Sequence, residues 1–368
     1  VVIGKDIDDL YLKAVDTVQL RKNEEKKIKI VFTPLHGTSA KIGLEALKRN
    51  GYDVTPVKEQ MVADPNFSTV VSPNPENKEA FEYAIKLGKD VSADILIATD
   101  PDADRLGVAC LHKGEYILLT GNQTGALLVD YVLRTRKEQG TLPEKGMVYN
   151  TIVTSELGAT IAKSFGMEVK STLTGFKFIG EQAKLIEDTD YEFMFGYEES
   201  YGYVIKDFVR DKDAIQALLL LSEVANIGKN NGLTLYDYLL FLYKQYGYYI
   251  EDLVNVILEG VAGANKINEI IEHFRNNAPT TVNNLKVVKV EDYNLSIKNE
   301  FGVKSIIDLP KSNVLKYTLE DGSWFVLRPS GTEPKLKIYI GVLGESLEDS
   351  KSKNKLIKND VLKIIDTI

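Results

Sequence analysis

Hydrophobic and polar positions follow two rhythms that take turns along this chain. Residues 28–34 (IKIVFTP) are a short apolar run of the kind found in buried strands. Residues 39–51 (SAKIGLEALKRNG) carry apolar positions at helical spacing, closed by Gly51. A second strand is expected at 52–57 (YDVTPV), an amphipathic helix at 78–91 (KEAFEYAIKLGKDV) and another buried strand at 93–99 (ADILIAT). This order predicts an α/β domain with a largely parallel sheet, in which ligands gather beyond the carboxyl ends of strands.

The alternation then repeats. Helices are expected at 122–140, 155–166 and 179–188, with strands at 146–153, 167–175 and 191–202, the last running into a polar loop. Long helices from Asp213 to Asn226 and from Leu235 to Tyr246 close this part. After Tyr248 the texture changes to a helix at 264–277, β-like segments at 285–293, 313–331 and 335–344, and a final helix at 352–368. The expected fold class is α/β: two tandem mixed α/β/α domains, 1–119 and 120–247, followed by a smaller α+β C-terminal domain, 248–368.

Composition narrows the function. The chain has 368 residues, 44% hydrophobic and 27% charged, as in soluble globular proteins. A formal net charge of -8 argues against nucleic acid or an anionic membrane as partner, since both need a positive face. The richest apolar run, Ala214 to Leu221, is far short of the roughly eighteen residues of a membrane span and contains Gln216. Val1 to Ile3 give way at once to GKDIDD, so no signal peptide is expected. The single Cys110 excludes an intrachain disulfide and fits a reducing, cytoplasmic setting.

Behind the strand at 93–99 stands DPDADR. Alternate residues of an extended segment project to one side, so Asp100, Asp102 and Asp104 can converge. Three close carboxylates repel one another unless a cation sits among them, and all-oxygen ligation suits Mg²⁺ or Ca²⁺. A calcium loop of the EF-hand type would need Gly and Glu where Arg105 and Leu111 stand, so Mg²⁺ and phosphoryl chemistry are the better match. Arg105 is then placed to hold an anionic or hydroxyl-rich substrate. A solvated acidic turn is the competing reading. In RPSGTEPK, Arg328 offers a planar fork for phosphate, and Ser330, Thr332 and the backbone at Gly331 can donate hydrogen bonds, against an ordinary hairpin turn. FGYEESYGY presents Glu198, Glu199 and Ser200; alone it reads first as a solvated turn, while carboxylates beside a hydroxyl also suit sugar hydroxyls. Lys212 is a candidate for a second phosphate or a charged helix start. TLTGF is a strand-to-helix turn, and His36 in PLHGTS is as readily structural as functional.

Taken in order, TPLHGTS, ATDPDADRLGVA, TLTGFKFIGE, FGYEESYGY with RDKD, and LRPSGTEPKLKIY resemble the α-D-phosphohexomutases, the phosphoglucomutase and phosphomannomutase family. The resemblance implies that Asp100, Asp102 and Asp104 hold Mg²⁺ and that Arg105 faces the sugar. It implies that Glu198 and Ser200 bind sugar hydroxyls, that Lys212 lies near a phosphate, and that Thr174 and Gly175 help recognise the sugar face presented. Arg328, Ser330, Gly331 and Thr332 would clamp the phosphate not being transferred. The implied reaction interconverts hexose 1-phosphate and hexose 6-phosphate, most readily glucose given the EES form, through a phosphoserine, with glucose 1,6-bisphosphate as primer.

The family's phosphoserine lies in an N-terminal domain, in a motif close to Thr-Ala-Ser-His-Asn-Pro. Here the three histidines follow Leu35, Leu111 and Glu272, so there is no Ser-His pair, and the chain opens on Val1 rather than methionine. The expectation is a fragment holding three of four domains, inactive alone, whose partners are a sugar phosphate and the missing N-terminal domain. The alternatives are a catalytically silent sugar-phosphate-binding protein and a phosphopentomutase-type member. A haloacid-dehalogenase-type phosphatase would share the metal carboxylates but leave RPSGTEPK and FGYEES unexplained.

Overall fold

The computed structural model describes residues 3–331 and 333–368. The chain divides after Leu242 into two compact units. In the first, α1 (Lys5–Asp16) precedes β1 (Lys29–Thr33), α2 (Ser39–Arg49), β2 (Asp53–Pro56), α3 (Glu82–Val91), β3 (Ile95–Thr99), β4 (Leu106–His112) and β5 (Glu115–Leu119). The strands form one sheet in the order β2-β1-β3-β4-β5. The expected largely parallel sheet is in fact mixed: β2, β1 and β3 are parallel, whereas β3, β4 and β5 run antiparallel. The turn between β4 and β5 gives the reason. Lys113 and Gly114 both have positive φ (50° and 88°), the backbone of a two-residue hairpin loop, which leaves no room for a crossover helix. The predicted helix at 78–91 begins as a 3₁₀ turn, Lys78–Phe81, and becomes α-helical only at Glu82.

The second sheet of this unit is built from β6 (Gly146–Thr151), β7 (Glu168–Thr172), β8 (Glu192–Tyr197) and β9 (Tyr203–Val204) in the order β7-β6-β8-β9. Its helices are α4 (Gly121–Glu138), α5 (Glu156–Ser164), α6 (Phe176–Leu185) and α7 (Ala214–Asn230), and the division after Leu242 falls within α8 (Leu235–Tyr246). Thr120 and Gln123 cap α4 reciprocally, and Ser155 caps α5, satisfying amides that the first helical turns leave open. The central helix is α7. Its residues 214–226 are buried all round, and it packs on α1, α2 and α4 and on β3, β4 and β9, so it belongs to the cores of both sheets. Gln216, polar within that apolar run, accepts from the Ile205 and Lys206 amides, which makes its burial tolerable. No helix among the described residues is long and apolar enough to cross a membrane.

The second unit contains β10 (Tyr248–Ile257), α9 (Gly260–Asn276), β11 (Thr281–Val282), β12 (Leu285–Asp292), β13 (Ile297–Glu300), β14 (Val303–Ile306), β15 (Leu315–Leu319), β16 (Trp324–Pro329), β17 (Lys335–Gly344) and α10 (Leu347–Asp366). An antiparallel sheet in the order β10-β17-β16-β15-β12-β13-β14 presents Phe325, Leu327, Ile338 and Ile340 to a core that includes Ile270 and Phe274 of α9 and Ile357 and Val361 of α10. Four strands escape the sequence pattern: β10, which pairs with β17 along its whole length, the short β11, which pairs with β12, and the two strands of the β13–β14 hairpin. Both helices also begin earlier than their apolar spacing suggests, α10 because Ser346 caps it by accepting from the Asp349 amide.

Candidate functional site

The site in the first unit begins where β3, buried throughout, ends at Thr99. The chain turns back there through Ala103, which adopts a left-handed φ of 62°, and Asp100 Oδ1 accepts from the amides of Asp104 (3.0 Å) and Arg105 (2.9 Å). The expected convergence is present, with carboxylate oxygens of Asp100, Asp102 and Asp104 within 4.8 Å of one another, but this turn and not an extended segment produces it. Asp100 is only 8% exposed. Burial, and then the Asp104 and Asp102 charges, push its carboxyl up to about 7, although the backbone donors pull the other way. Among the described residues Asp104 Oδ1 is buried without a hydrogen-bond partner; Arg105 Nε stands 3.7 Å from it, an ion-pair distance only. A hard divalent cation fits this donor set, since it would supply both the missing ligand of Asp104 and the neutralisation that Asp100 lacks.

Two cations flank the triad. Arg105 Nη1 donates to Glu76 Oε1 (3.0 Å), with Nε 3.7 Å from both Asp100 and Asp104. Burial works against its charge, but Glu76, Asp104, Asp100 and Glu198 outweigh that and raise its pKa. Lys212 arrives from the start of α7, with Nζ 2.9 Å from Asp104 Oδ2 and 3.0 Å from Asp211 Oδ1. Burial opposes its charge too, and the hydrogen bonds to Asp104 and Asp211 more than compensate. Backbone contacts lock the same pieces together: Arg105 bridges Gly202, the Leu106 amide donates to Tyr201 O (3.0 Å), and the Ala214 amide donates to Ala103 O (3.2 Å).

The 198–202 loop contributes Glu198, nearly buried, whose carboxyl is raised by burial and drawn back by Lys212, a hydrogen bond from Ser200 and Arg105. Gly202 is required here because a Cβ would strike the Lys212 side chain and crowd Glu198 Oε1. Glu199 meets Thr151, whose hydroxyl donates to Glu199 Oε2 (3.0 Å). Gly175 begins α6 at a φ of 116°, a conformation that side chains resist, and the next residue, Phe176, lies 5.7 Å from Lys212 Nζ. Asp100, Asp102, Asp104, Arg105, Glu198, Ser200 and Lys212 are therefore gathered together, with the Thr174–Gly175 turn beside them through Phe176.

The sequence pattern missed Glu76. It stands in SPNPEN, twenty-nine positions before the arginine it holds, and only the fold brings the two together. His36 is structural: Nδ1 meets Val62 O (2.8 Å) and Nε2 meets Thr69 Oγ1 (2.7 Å), tying the turn before α2 to the loop at 62–69.

In the second unit, Arg328 closes β16 directly opposite Lys337 of β17, which in turn faces Asn255 of β10. Their neighbours Leu327 and Ile338 point into the core, so this row lies on the other sheet face. Like charges placed opposite one another repel, and an anion between them reverses the sign of that interaction. Arg328 Nη1 reaches Tyr339 OH at 3.5 Å, and the Ser330 amide donates to Lys335 O (2.7 Å), closing the turn. Gly331 was expected to permit that turn. It has no positive φ, and a Cβ there would meet open space, so the turn itself does not demand glycine. Thr332 lies outside the described residues. Lys337 was missed by the sequence reading; its alternation with Lys335 and Tyr339 was the available signal.

Known proteins match this chain along nearly its whole length. The phosphoglucomutase/phosphomannomutase α/β/α domain II matches residues 9–114, domain III matches 120–246, and the family's C-terminal domain matches 253–347. A phosphoglucomutase of Staphylococcus haemolyticus (strain JCSC1435) is 40% identical over 328 residues, covering 88% of this chain and 59% of that protein. One of Staphylococcus aureus (strain MRSA252) is 39% identical over 353 residues, covering 95% and 63%. The chain thus spans less than two thirds of the length of the curated relatives it matches. Among solved structures, a phosphoglucomutase/phosphomannomutase family protein from Burkholderia thailandensis shares the fold with a TM-score of 0.66 at 17% identity, over 98% of this chain and 65% of that one. The open form of the Paramecium phosphoprotein parafusin, a phosphoglucomutase, gives 0.66 at 19% identity over 97% and 62%. With three consecutive domains matched in order, the chain belongs to the phosphoglucomutase/phosphomannomutase family.

Proposed function

We propose that this chain supplies the metal, sugar and phosphate sites of a phosphohexomutase that interconverts hexose 1-phosphate and hexose 6-phosphate, glucose being the preferred sugar. The observation that carries the reading is the convergence of Asp100, Asp102 and Asp104 with Lys212, Arg105 and Glu198. Asp100, Asp102 and Asp104 are the residues to hold Mg²⁺, which when bound neutralises charge developing on a phosphoryl group in transfer. Lys212 and Arg105 attract the anionic sugar phosphate, and Glu198 and Ser200 accept and donate to its hydroxyls. The Thr174–Gly175 turn limits which sugar face can enter. Arg328, Ser330 and Gly331, with Lys337 opposite the arginine, form a separate phosphate clamp in the second unit. Glucose 1,6-bisphosphate, which carries two phosphates, is the proposed primer.

The nucleophile is expected outside this sequence, because the family's phosphoserine precedes a histidine and no histidine here follows a serine. The chain given is accordingly proposed to bind without turning over. Titration calorimetry with glucose 1-phosphate, mannose 1-phosphate and ribose 1-phosphate, with and without Mg²⁺, tests the reading. Metal-dependent binding that is tightest for the glucose compound supports it. Binding unaffected by Asp102→Asn together with Asp104→Asn would sink the metal assignment, and tighter binding of the ribose compound would favour a pentose-phosphate mutase.

A further inference from the structure

The second unit ends its sheet in an open strand. β14 pairs with β13 on one side and, among the described residues, has no strand on the other. The β13–β14 hairpin and its flanks expose Leu295, Ile297, Phe301, Val303 and Ile306, with Ile306 at 85%, Phe301 at 77% and Val303 at 71%. Apolar side chains beside unpaired backbone groups template further pairing.

The hydrogen-bond register determines which groups are open. The Ile307 amide donates to Ser296 O (3.0 Å), and the hairpin pairs Ile297 with Ile306, Lys298 with Ser305, Asn299 with Lys304 and Glu300 with Val303. Hydrogen-bonded and non-hydrogen-bonded pairs alternate in an antiparallel ladder. The amides of Val303, Ser305 and Ile307 therefore point toward β13. Those of Lys304 and Ile306 point to the free edge.

We propose that this edge pairs with the same edge of a second copy of the chain, antiparallel about a two-fold axis through Ile306. That register sets Ile306 opposite the partner's Ile306 and Lys304 opposite the partner's Asp308, twice by symmetry. Ile297 lies beside Ile306 on the same sheet face, so an isoleucine cluster forms on the axis between two ion pairs. Val303 meets the partner's Leu309 on the other face, and Pro310, which has no amide to donate, ends the ladder. Charge selects this register over its neighbours. An axis through Lys304 would oppose two lysines, and an axis through Ser305 would set Lys304 against an isoleucine. Lys304 and Asp308 are exposed and, among the described residues, take part in no ion pair within the chain. Self-pairing gives each an opposite charge.

The experiment is sedimentation of the full chain up to ~100 µM, because so short a strand implies a dimer at the weak end of specific interfaces. The wild type is expected to show a concentration-dependent monomer–dimer equilibrium. Lys304→Glu and Asp308→Lys each place like charges across the axis and should weaken the dimer by about tenfold or more. The double variant Lys304→Glu/Asp308→Lys restores both ion pairs and should restore the dimer. Ile306→Cys adds a register-specific readout, since Cys110 is buried and only the new thiol would react with a short bis-maleimide to give a covalent dimer. A chain that stays monomeric throughout overturns the proposal. So does a dimer indifferent to either charge reversal, single reversals that the double variant does not rescue, or failure of Ile306→Cys to cross-link. These surface changes leave the core untouched, and an unchanged circular dichroism spectrum separates loss of pairing from loss of fold.

Discussion

Replacing Asp100 with Asn tests the metal site through stability rather than activity. Asn keeps an Oδ1 that can accept from the Asp104 and Arg105 amides, so the turn should survive while the buried charge disappears. Burial and the neighbouring aspartates raise the Asp100 carboxyl from 3.8 to about 7 in the folded chain. A raised carboxyl means that ionisation favours the unfolded chain. The penalty is absent below pH 4, grows between pH 4 and 7, and is fully present above about 7. A shift of roughly three units corresponds to at most about 4 kcal/mol, with about 2–3 kcal/mol of it arising between pH 5 and pH 8. In EDTA, Asp100→Asn should therefore be more stable than wild type at pH 8 and much closer to it at pH 5. For a unit of this size each kcal/mol moves the melting temperature by about 2–4 °C, well within reach of calorimetry. Added Mg²⁺ should reverse the order at pH 8 by stabilising the wild type alone. A variant less stable than wild type by the same margin at both pH values in EDTA would refute the argument that Asp100 is an uncompensated buried charge.

Other outcomes follow from the same geometry. Lys212→Met removes the partner of Asp104 at 2.9 Å and should weaken sugar-phosphate binding by about tenfold to a hundredfold, read by calorimetry, with little change if the lysine only starts a helix. Arg328→Ala removes a charge-assisted phosphate contact worth about 1.5–3 kcal/mol, so the affinity for glucose 1,6-bisphosphate should fall by about ten- to a hundredfold in the same assay. Gly175→Ala forces a side chain to a φ of 116° and should cost about 1 kcal/mol or more in urea unfolding, whereas Gly331→Ala, facing open space, should leave stability unchanged. Gly158→Ala drives a methyl group into the Tyr197 hydroxyl and should destabilise the first unit by about 1–3 kcal/mol, seen as a lowered urea midpoint.

The local chemistry was legible where a short segment carries it whole. The acidic site was legible as residue types in one short segment, although Asp100, Asp102 and Asp104 converge through a turn at left-handed Ala103 and not through the period-two alternation of extended backbone. The strands β3 and β8 and the helix α7 were visible because each is a nearly continuous apolar run, buried on every side, although β8 ends at Tyr197, short of the expected 202. β10 was not, because its exposed positions alternate with partly buried ones and its partner β17 is far along the chain. The antiparallel return of β4 and β5 turns on two residues, Lys113 and Gly114, which an eye set for crossovers passes over.

The sequence by itself determined the order of the elements, the residue types of each site and the membership of a family, since these depend on spacing within short windows. The tertiary structure alone decided which charges meet. Glu76 reaches Arg105, Lys212 reaches Asp104, and Lys337 is set opposite Arg328 only after sheets and helices pack. It also decided that α7 would be buried between two sheets, so that the aspartate turn and the 198–202 loop share one unit. The physical reason is that Coulomb and hydrogen-bond energies depend on distances of a few ångströms, and positions far apart in the chain acquire those distances only from the packing of the core.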